Sequence, residues 1–467
     1  MDTEIVRPQI GNFLDSLREI GYSTEVAVAD LIDNSITASS SEIYIYTVPK
    51  PKPVFALLDN GIGMDEAKLI EAMRLASTNP NSTRAKHDLG RFGLGLKTSS
   101  FSQCKKLTVI SKKGKSINCR QWDLSFIAKK NDWLLITPRN YIDYPLYQQL
   151  EKSSSGTLII WEDIDKISPN QYSEMIEKLR KHLSLVFHKF LEGSVQGRKL
   201  KISINDNYLK PFNPFNLNHP ATQQIAIEKI NIHNSTVVIQ PYILPHHSKI
   251  SREEYELYAT EEGYLKSQGF YLYRVDRIII YGTWWGLHKA MDMHKLIRIK
   301  VEIPNNMDNH WGIDIKKSIA RPANEIKADL KRIINQMVEK GARPYSSRGK
   351  KIEDKTVIKF WEIVPLKDHF FFSINKQHPL YINLLASLGT IEKQKLDFFL
   401  KGIEAYLPLD AIQAKLQGDP HIIKQESSLS EEDIEIITQL LKTTDINGDY
   451  IQELLKTEIF KHRKEIL

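Results

Sequence analysis

The chain has 467 residues, of which 41% are hydrophobic and 26% are charged; this composition indicates a globular protein of two or three domains and excludes a fibrous or wholly disordered chain. Its net charge of +7 is compatible with nucleic-acid binding but does not by itself indicate it. The two cysteines, Cys104 and Cys119, belong to no CxxC pair or Cys/His cluster, which excludes a disulfide framework and a zinc site and favours a reducing compartment.

The first 195 residues alternate predicted helices and strands. Apolar periodicity predicts helices over 8–20, 24–38, 65–76, 93–103 and 171–191, and strands over 42–48, 54–58, 106–111, 116–123, 133–137 and 157–161. Residues 77–89 are polar and lack periodicity, which is typical of a long functional loop. We therefore expect an α+β sandwich with helices on one face of a mostly antiparallel sheet.

A second domain is predicted over 196–343. Its expected strands are 201–204, 236–240, 269–280 (a strand, a turn and a strand) and 296–303, followed by a helix over 323–339. Residues 341–355 are rich in Gly, Ser, Arg and Lys and are the predicted linker. The C-terminal region, residues 344–467, overlaps this linker and is expected to be mainly helical, and Ser430 with Asp433 predicts a capping box at the start of one helix.

Two polar residues of the predicted second helix suit nucleotide hydrolysis. Asp30 and Asn34 lie one helical turn apart on the same face. Magnesium accepts one or two protein oxygens beside those of phosphates and water, so the amide oxygen of Asn34 is a sufficient ligand. The Asp30 carboxylate could act as the base that orients the attacking water.

Two glycine-containing segments follow that helix. Asp59 ends a buried strand and can accept a hydrogen bond from the exocyclic amine of a purine, while Gly61 and Gly63 let backbone approach the base without a Cβ. Residues 93–97, at the start of the next helix, offer backbone N–H groups and the charge of Lys97 to a phosphate chain.

Each segment alone has an ordinary explanation. An Asp-Asn pair often caps a helix, and Asp-Asn-Gly is a common hairpin turn. The pattern Gly93-Leu94-Gly95 lacks the third glycine of the dinucleotide and kinase fingerprints, and Leu96 stands where a P-loop has glycine. The ordered combination of the segments is what indicates a nucleotide site.

This combination resembles the GHKL superfamily of gyrase B, the ninety-kilodalton heat-shock chaperones, histidine kinases and MutL, whose ATP-binding domain has the Bergerat fold. Four motifs match in order over residues 10–165: the first is 30–34, the second 59–63, the third 90–97 and the fourth 155–157. The resemblance implies ATP and Mg²⁺ as cofactors, with 77–89 as the ATP lid. It assigns Asp30 to catalysis, Asn34 to the metal, and the following to nucleotide binding: Asn34, Asp59, Gly61, Gly63, Met64, Gly90, Arg91, Phe92, Gly93, Leu94, Gly95, Leu96, Lys97, Thr98 and Thr157.

Within the superfamily, the chain is most similar to the prokaryotic MORC and MutL-like branch. The second domain resembles the S5-type transducer, in which a lysine reaches the γ-phosphate, so Lys316 and Lys317 are candidate catalytic residues; otherwise both are surface lysines. The family acid is usually glutamate, and Asp30 is shorter by about 1.5 Å. A misplacement of about 1 Å can cost ~100-fold in rate, so slow hydrolysis is expected unless the local backbone compensates.

The resemblance implies an ATP-gated dimeric clamp acting on DNA or on a partner protein, in a setting such as a phage-defence or restriction-type system with several components. The alternatives are a nucleotide-gated scaffold with negligible hydrolysis and an Hsp90-like chaperone. The N-terminus lacks a signal-peptide pattern, and no apolar run approaches the ~20 residues that span a bilayer. A cytoplasmic protein without membrane contact is therefore expected.

Overall fold

The computed structural model describes residues 3–4, 9–75, 89–90, 95–167, 169–195, 199–232, 234–314, 320–346, 357–365, 370–418, 430–443, 448–457 and 459–460. The chain divides into two compact units, one of 1–245 and 256–341 and the other of 246–255 and 342–467. Both large sheets belong to the first unit. Within the described ranges, every helix is too short or too polar to cross a bilayer.

The N-terminal sheet has seven strands in the order β4-β3-β5-β2-β1-β6-β7. All neighbouring pairs are antiparallel except β1 with β6. The strands are β1 (Glu42–Val48), β2 (Val54–Asp59), β3 (Cys104–Lys113), β4 (Ser116–Asp123), β5 (Ser155–Ile164), β6 (Lys201–Ile204) and β7 (Asn207–Tyr208). Strand β5, which lies between β3 and β2, places Thr157 opposite both Asp59 and Ser111.

Helices cover this sheet mainly on one face, which confirms the predicted α+β class. Leu57 of β2 faces the large core under these helices, while its neighbours Ala56 and Leu58 face a smaller cluster that includes Leu150, as the period of two in a strand requires. The helices are α1 (Ile10–Arg18), α2 (Thr24–Thr37), α3 (Glu66–Met73), α4 (Gly95–Gln103), α5 (Leu124–Lys130), α6 (Tyr147–Lys152), α7 (Tyr172–Val186) and α8 (His188–Glu192).

Two predicted elements of this part are wrong in detail. Residues 133–137 make only a single bridge, between Ile136 and Gln121, because Pro138 has no N–H with which to extend a ladder. The helix predicted over 171–191 is interrupted at Phe187, whose φ of −105° and ψ of 17° separate α7 from α8. Phe187 is buried in the core, so its apolar side chain fits the periodicity of one continuous helix although its backbone interrupts that helix.

The second sheet has the path β12-β11-β13-β10-β8, with β9 paired to β10. Its strands are β8 (Gln223–Gln224), β9 (Glu228–Ile232), β10 (Ser235–Ile243), β11 (Gly269–Arg274), β12 (Arg277–Thr283) and β13 (Ile297–Ile303). Three helices accompany it in the chain: α9 (Arg252–Ala259), α10 (Tyr264–Ser267) and α11 (Lys327–Ser346). Helix α11 runs through residues 341–346, which were predicted as linker; residues 347–355 lie outside the described residues.

A two-residue turn joins β11 to β12. Arg274 pairs with Arg277, and the intervening Val275 and Asp276 have φ of 49° and 67°. Two residues of positive φ suit the right-handed twist of a hairpin, but glycine or asparagine usually occupies these positions. A β-branched valine in this region costs roughly 1–2 kcal/mol. Val275 offsets this cost by packing against the core of the N-terminal sheet.

The second unit contains mostly helices, as predicted, and a hairpin that was not predicted. The hairpin pairs β14 (Trp361–Pro365) with β15 (Phe370–Ile374). The capping box is confirmed, since the Asp433 amide donates to the Ser430 hydroxyl and the Ser430 amide donates to the Asp433 carboxylate. The helices are α12 (Pro379–Ser387), α13 (Thr390–Ala405), α14 (Leu409–Gly418), α15 (Glu431–Thr443) and α16 (Gly448–Leu454).

Candidate nucleotide-binding site

Helix α2 carries the acidic residues of the first motif. Its first turn is capped by the Ser23 hydroxyl, which accepts a hydrogen bond from the Val26 amide at 3.4 Å. Asp30 and Asp33 are almost completely buried, with 3% and 1% of their surfaces exposed, whereas Asn34 is exposed. The first motif therefore combines buried carboxylates with an accessible amide.

Tyr22 holds one oxygen of the Asp30 carboxylate. Its hydroxyl donates to Asp30 Oδ2 at 3.1 Å, and it also makes a hydrogen bond with the Thr98 side chain. Burial, followed by the charge of Asp30, raises the pKa of Tyr22, so the hydroxyl stays protonated and can donate. The sequence did not identify Tyr22, because an aromatic residue before a helix is usually a core residue.

Arg277, from the second sheet, faces the other side of this acidic pair. Its Nη1 lies 2.5 Å from Asp33 Oδ2 and 3.6 Å from Asp30 Oδ1. The arginine is itself buried, with its guanidinium 5.5 Å from the centre of the Phe187 ring. No local pattern predicted this contact, since the partners are 244 positions apart in the sequence.

Asp59 ends β2 with its carboxylate buried and surrounded by donors. Oδ1 accepts from the amides of Gly61 at 2.9 Å and Thr157 at 3.3 Å, and Oδ2 accepts from the Ser35 hydroxyl at 2.9 Å. These contacts use three of the roughly four acceptor positions of a carboxylate. Burial raises the pKa of Asp59, and the three donors oppose that shift.

A hydroxyl network extends from Asp59 across the sheet. Thr157 and Ser111 lie opposite each other on β5 and β3, with their hydroxyl oxygens 3.0 Å apart. The Ser111 hydroxyl also accepts a hydrogen bond from the Met64 amide at 2.8 Å. Thr157 thus contributes its amide to Asp59 and its hydroxyl to Ser111, which in turn binds the Met64 amide. The sequence indicated Thr157 through the family motif but not Ser35 or Ser111.

The glycines of the second motif allow close backbone packing. A Cβ on Gly61 would lie 2.8 Å from the Ala38 carbonyl oxygen, and one on Gly63 would lie 1.9 Å from the Lys112 carbonyl oxygen. Gly63 also has a φ of +62°. These two positions exclude a side chain because the backbone of Ala38 and of Lys112 occupies the space that a Cβ would need.

Replacing Gly63 with alanine is expected to destabilise the fold far more than replacing Gly114. Both have nearly the same φ, +62° and +61°, but a Cβ on Gly114 meets nothing within 4 Å of the described chain. Gly114→Ala should therefore cost only the left-handed strain, roughly 1–2 kcal/mol, whereas Gly63→Ala adds a backbone clash. Chemical denaturation of both variants measures this difference; equal free energies of unfolding would contradict the packing described for Gly63.

Helix α4 brings the third motif to the first. A Cβ on Gly95, the first residue of α4, would lie 3.9 Å from Asp30 Oδ2. Thr98 is fully buried, and Leu96 packs against the core. The start of α4 therefore adjoins Asp30, and a helix N-terminus favours a negatively charged ligand.

Lys97 is buried, whereas a lysine that binds a phosphate is expected to be accessible to its ligand. Its side chain is 3% exposed, and Nζ donates to the Ala72 carbonyl at the end of α3, at 2.9 Å. Burial lowers its pKa to about 8. In this arrangement Lys97 connects α4 to α3, and its assignment to nucleotide binding stays a prediction.

The structure brings Asp30, Asp59, Gly61, Gly63, Met64, Gly95 and Thr157 into one region through α2, β2, α4 and β5, and Asn34 lies one turn after Asp30 on α2. Gly90 is described and half-buried. The following predicted site residues lie outside the described residues: Arg91, Phe92, Gly93, Leu94, Lys316 and Lys317.

A magnesium ion would depend on its nucleotide at this site. Among the described residues, no group of three His, Cys, Asp or Glu side chains could hold a metal ion. The exposed amide of Asn34 fits a cation whose remaining ligands are phosphate oxygens and water. The donor set thus suits a metal delivered together with a nucleotide rather than one bound by the protein alone.

Comparison with known proteins agrees with this geometry. Residues 22–157 match the family model described as histidine kinase-, DNA gyrase B- and HSP90-like ATPase. The chain is 28% identical over 147 residues to the ATPase MORC2B of Mus musculus, and 29% identical over 103 residues to the ATPase morc-1 of Caenorhabditis elegans. These matches cover 29% and 22% of this chain but only 14% and 12% of the two relatives.

Proposed function

We propose that this chain, which contains a GHKL-type ATPase domain similar to that of MORC ATPases, binds ATP with Mg²⁺ and hydrolyses it slowly. Support comes from one observation above all: three of the motifs meet around α2. Asp30 adjoins Gly95 at the start of α4, and Ser35 of the same helix donates to Asp59. Neighbouring elements would thus bind a purine, a phosphate chain and a hydrolytic water.

Each residue has a distinct chemical role in this proposal. Asp59 has acceptor capacity left for the exocyclic amine of adenine, because the described donors use three of its four positions. Asn34 would hold the magnesium ion, which supplies positive charge to the phosphates. Asp30 would orient the attacking water. Tyr22 and Arg277 hold its carboxylate in place.

A magnesium-dependent phosphate-release assay tests hydrolysis. We expect turnover with ATP and Mg²⁺ that stops when EDTA is added in excess. Turnover that persists without a divalent cation would contradict the metal role of Asn34. Binding of a fluorescent ATP analogue, measured in parallel, separates loss of binding from loss of hydrolysis.

We further propose that ATP closes two chains into a dimeric clamp on DNA or on a partner protein, in a multi-component system such as phage defence. Lys316 or Lys317 would report the γ-phosphate to the second sheet. Light scattering should show a shift from monomer to dimer mass when a non-hydrolysable ATP analogue is added with Mg²⁺, and Asp59→Asn should lack the shift. An unchanged mass in the presence of saturating analogue would exclude the clamp.

A nucleotide-gated scaffold is the second candidate. It is favoured by the burial of Asp30, whose short side chain is already engaged by Tyr22 and Arg277. In this case the analogue binds, but phosphate release stays at the background rate even with DNA present. Suppression of aggregation of an unfolded client would instead support the Hsp90-like alternative.

A further inference from the structure

The turn between β11 and β12, residues 274–277, contacts the N-terminal part of the chain through four consecutive residues. Val275 packs against the core of the N-terminal sheet despite its left-handed backbone. On one side of it, Asp276 accepts a hydrogen bond from Lys189 of α8 at 2.8 Å. Strained backbone of this kind persists where the surroundings hold it in place. The turn is therefore a docked element rather than a loose loop.

Arg277 supplies positive charge to the two buried carboxylates of the first motif. Asp30 and Asp33 are three positions apart on α2 and point to the same arginine. Two buried carboxylates repel each other and lose hydration, so they need a nearby cation. His182 of α7 does not provide this charge, because burial and then the charge of Arg277 lower its pKa to about 4.

Arg274, at the other end of the same turn, contacts the residue that directly precedes the third motif. Its Nε and Nη2 donate to the two carboxylate oxygens of Asp308 at 2.6 and 2.7 Å. Its Nη1 donates to the carbonyl oxygen of Leu89 at 3.0 Å. Leu89 is buried directly before Gly90. A paired arginine is fixed in orientation, so the turn also anchors the entry to the glycine-rich segment.

We propose that this turn, residues 274–277, is the element through which the second sheet controls hydrolysis, and that Arg277 is a positioning residue for Asp30. Arg277 acts through Asp30 and Asp33 and needs no contact with the nucleotide. Any movement of the second sheet that withdraws the turn removes the cation from Asp30 and the anchor from Leu89 together. This proposal rests on the ATPase function proposed above.

Replacing Arg277 with glutamine tests the positioning role. We expect kcat to fall by about 10–100-fold, since a misplacement near 1 Å has effects of this size, while KM changes by less than about threefold. Arg277→Lys should recover most of the turnover, because a single nitrogen of Arg277 makes both carboxylate contacts. Arg332→Gln, which removes a half-exposed arginine paired with Glu228, is the matched control.

Three results would overturn the proposal. They are a kcat for Arg277→Gln within about twofold of the parent, a change in KM alone, and a failure of Arg277→Lys to recover turnover. If Arg277→Gln does not fold, the double variant Asp33→Asn/Arg277→Gln removes the charge pair together. It should fold and still show the reduced kcat; parental turnover in it would also refute a positioning role.

Hydrogen exchange separates this proposal from the proposed ATPase function. Without nucleotide, Arg277→Gln should lower the protection of residues 24–37, and Arg274→Gln should lower that of Leu89 and Gly90, compared with Arg332→Gln. If the parent chain fails to hydrolyse ATP, the hydrolysis proposal is wrong, yet these exchange patterns still decide whether the turn holds both motifs. Unchanged protection in both variants would show that it does not.

Discussion

Replacing Asp59 with asparagine is expected to weaken ATP binding by at least ~100-fold while the protein stays folded. The asparagine amide oxygen can still accept from the Gly61 and Thr157 amides, and its NH₂ group can donate to the Ser35 hydroxyl. The remaining N–H would then face the exocyclic amine of adenine. Two donors cannot form a hydrogen bond, and the unpaired groups are costly when buried.

Titration with a fluorescent ATP analogue measures this effect. Asp206→Asn is the matched control, because Asp206 is exposed in a turn between β6 and β7. The melting temperature of Asp59→Asn should lie at most a few degrees below that of this control, because removing a buried charge also removes its desolvation cost. Parental affinity in a folded Asp59→Asn variant would show that Asp59 does not contact the base.

Replacing Asp30 with asparagine is expected to lower turnover strongly while preserving ATP binding. A general base contributes roughly 10²–10⁴-fold to the rate, so kcat should fall by about two orders of magnitude or more. Asparagine has the same shape, and Arg277 keeps its 2.5 Å contact with Asp33. The helix should therefore remain in place and the phosphate-binding region intact.

Single-turnover phosphate release and analogue binding, measured on the same preparation, check this result. The comparison with Arg277→Gln is informative, because that variant keeps the base and removes only the group that positions it. Asp30→Asn should therefore be the slower of the two. Equal turnover in Asp30→Asn and the parent would remove Asp30 from catalysis and would favour the scaffold, whose residual hydrolysis needs no base.

Much of the fold followed from local pattern. The helix over 24–38, the strands over 42–48 and 54–58 and the strand pair within 269–280 were predicted within a few residues of their observed ends. These elements have clear periodicity and strong turn signals. The errors fell at two places: at 133–137, where pairing stops after one bridge and Pro138 follows, and at Phe187, where the helix breaks inside the core.

The sequence by itself determined the family resemblance and the chemistry of the candidate site, because the acid, the amide and the glycines lie in short segments whose spacing reflects local backbone geometry. Only the tertiary structure decided what holds those side chains. Ser35, Ser111 and Tyr22 contribute hydrogen bonds that the spacing of the motifs does not predict. Arg277 contacts Asp33 from 244 positions away in the sequence. A charged group buried in the core needs a partner of opposite charge, but no local pattern in the sequence shows which part of the chain supplies it.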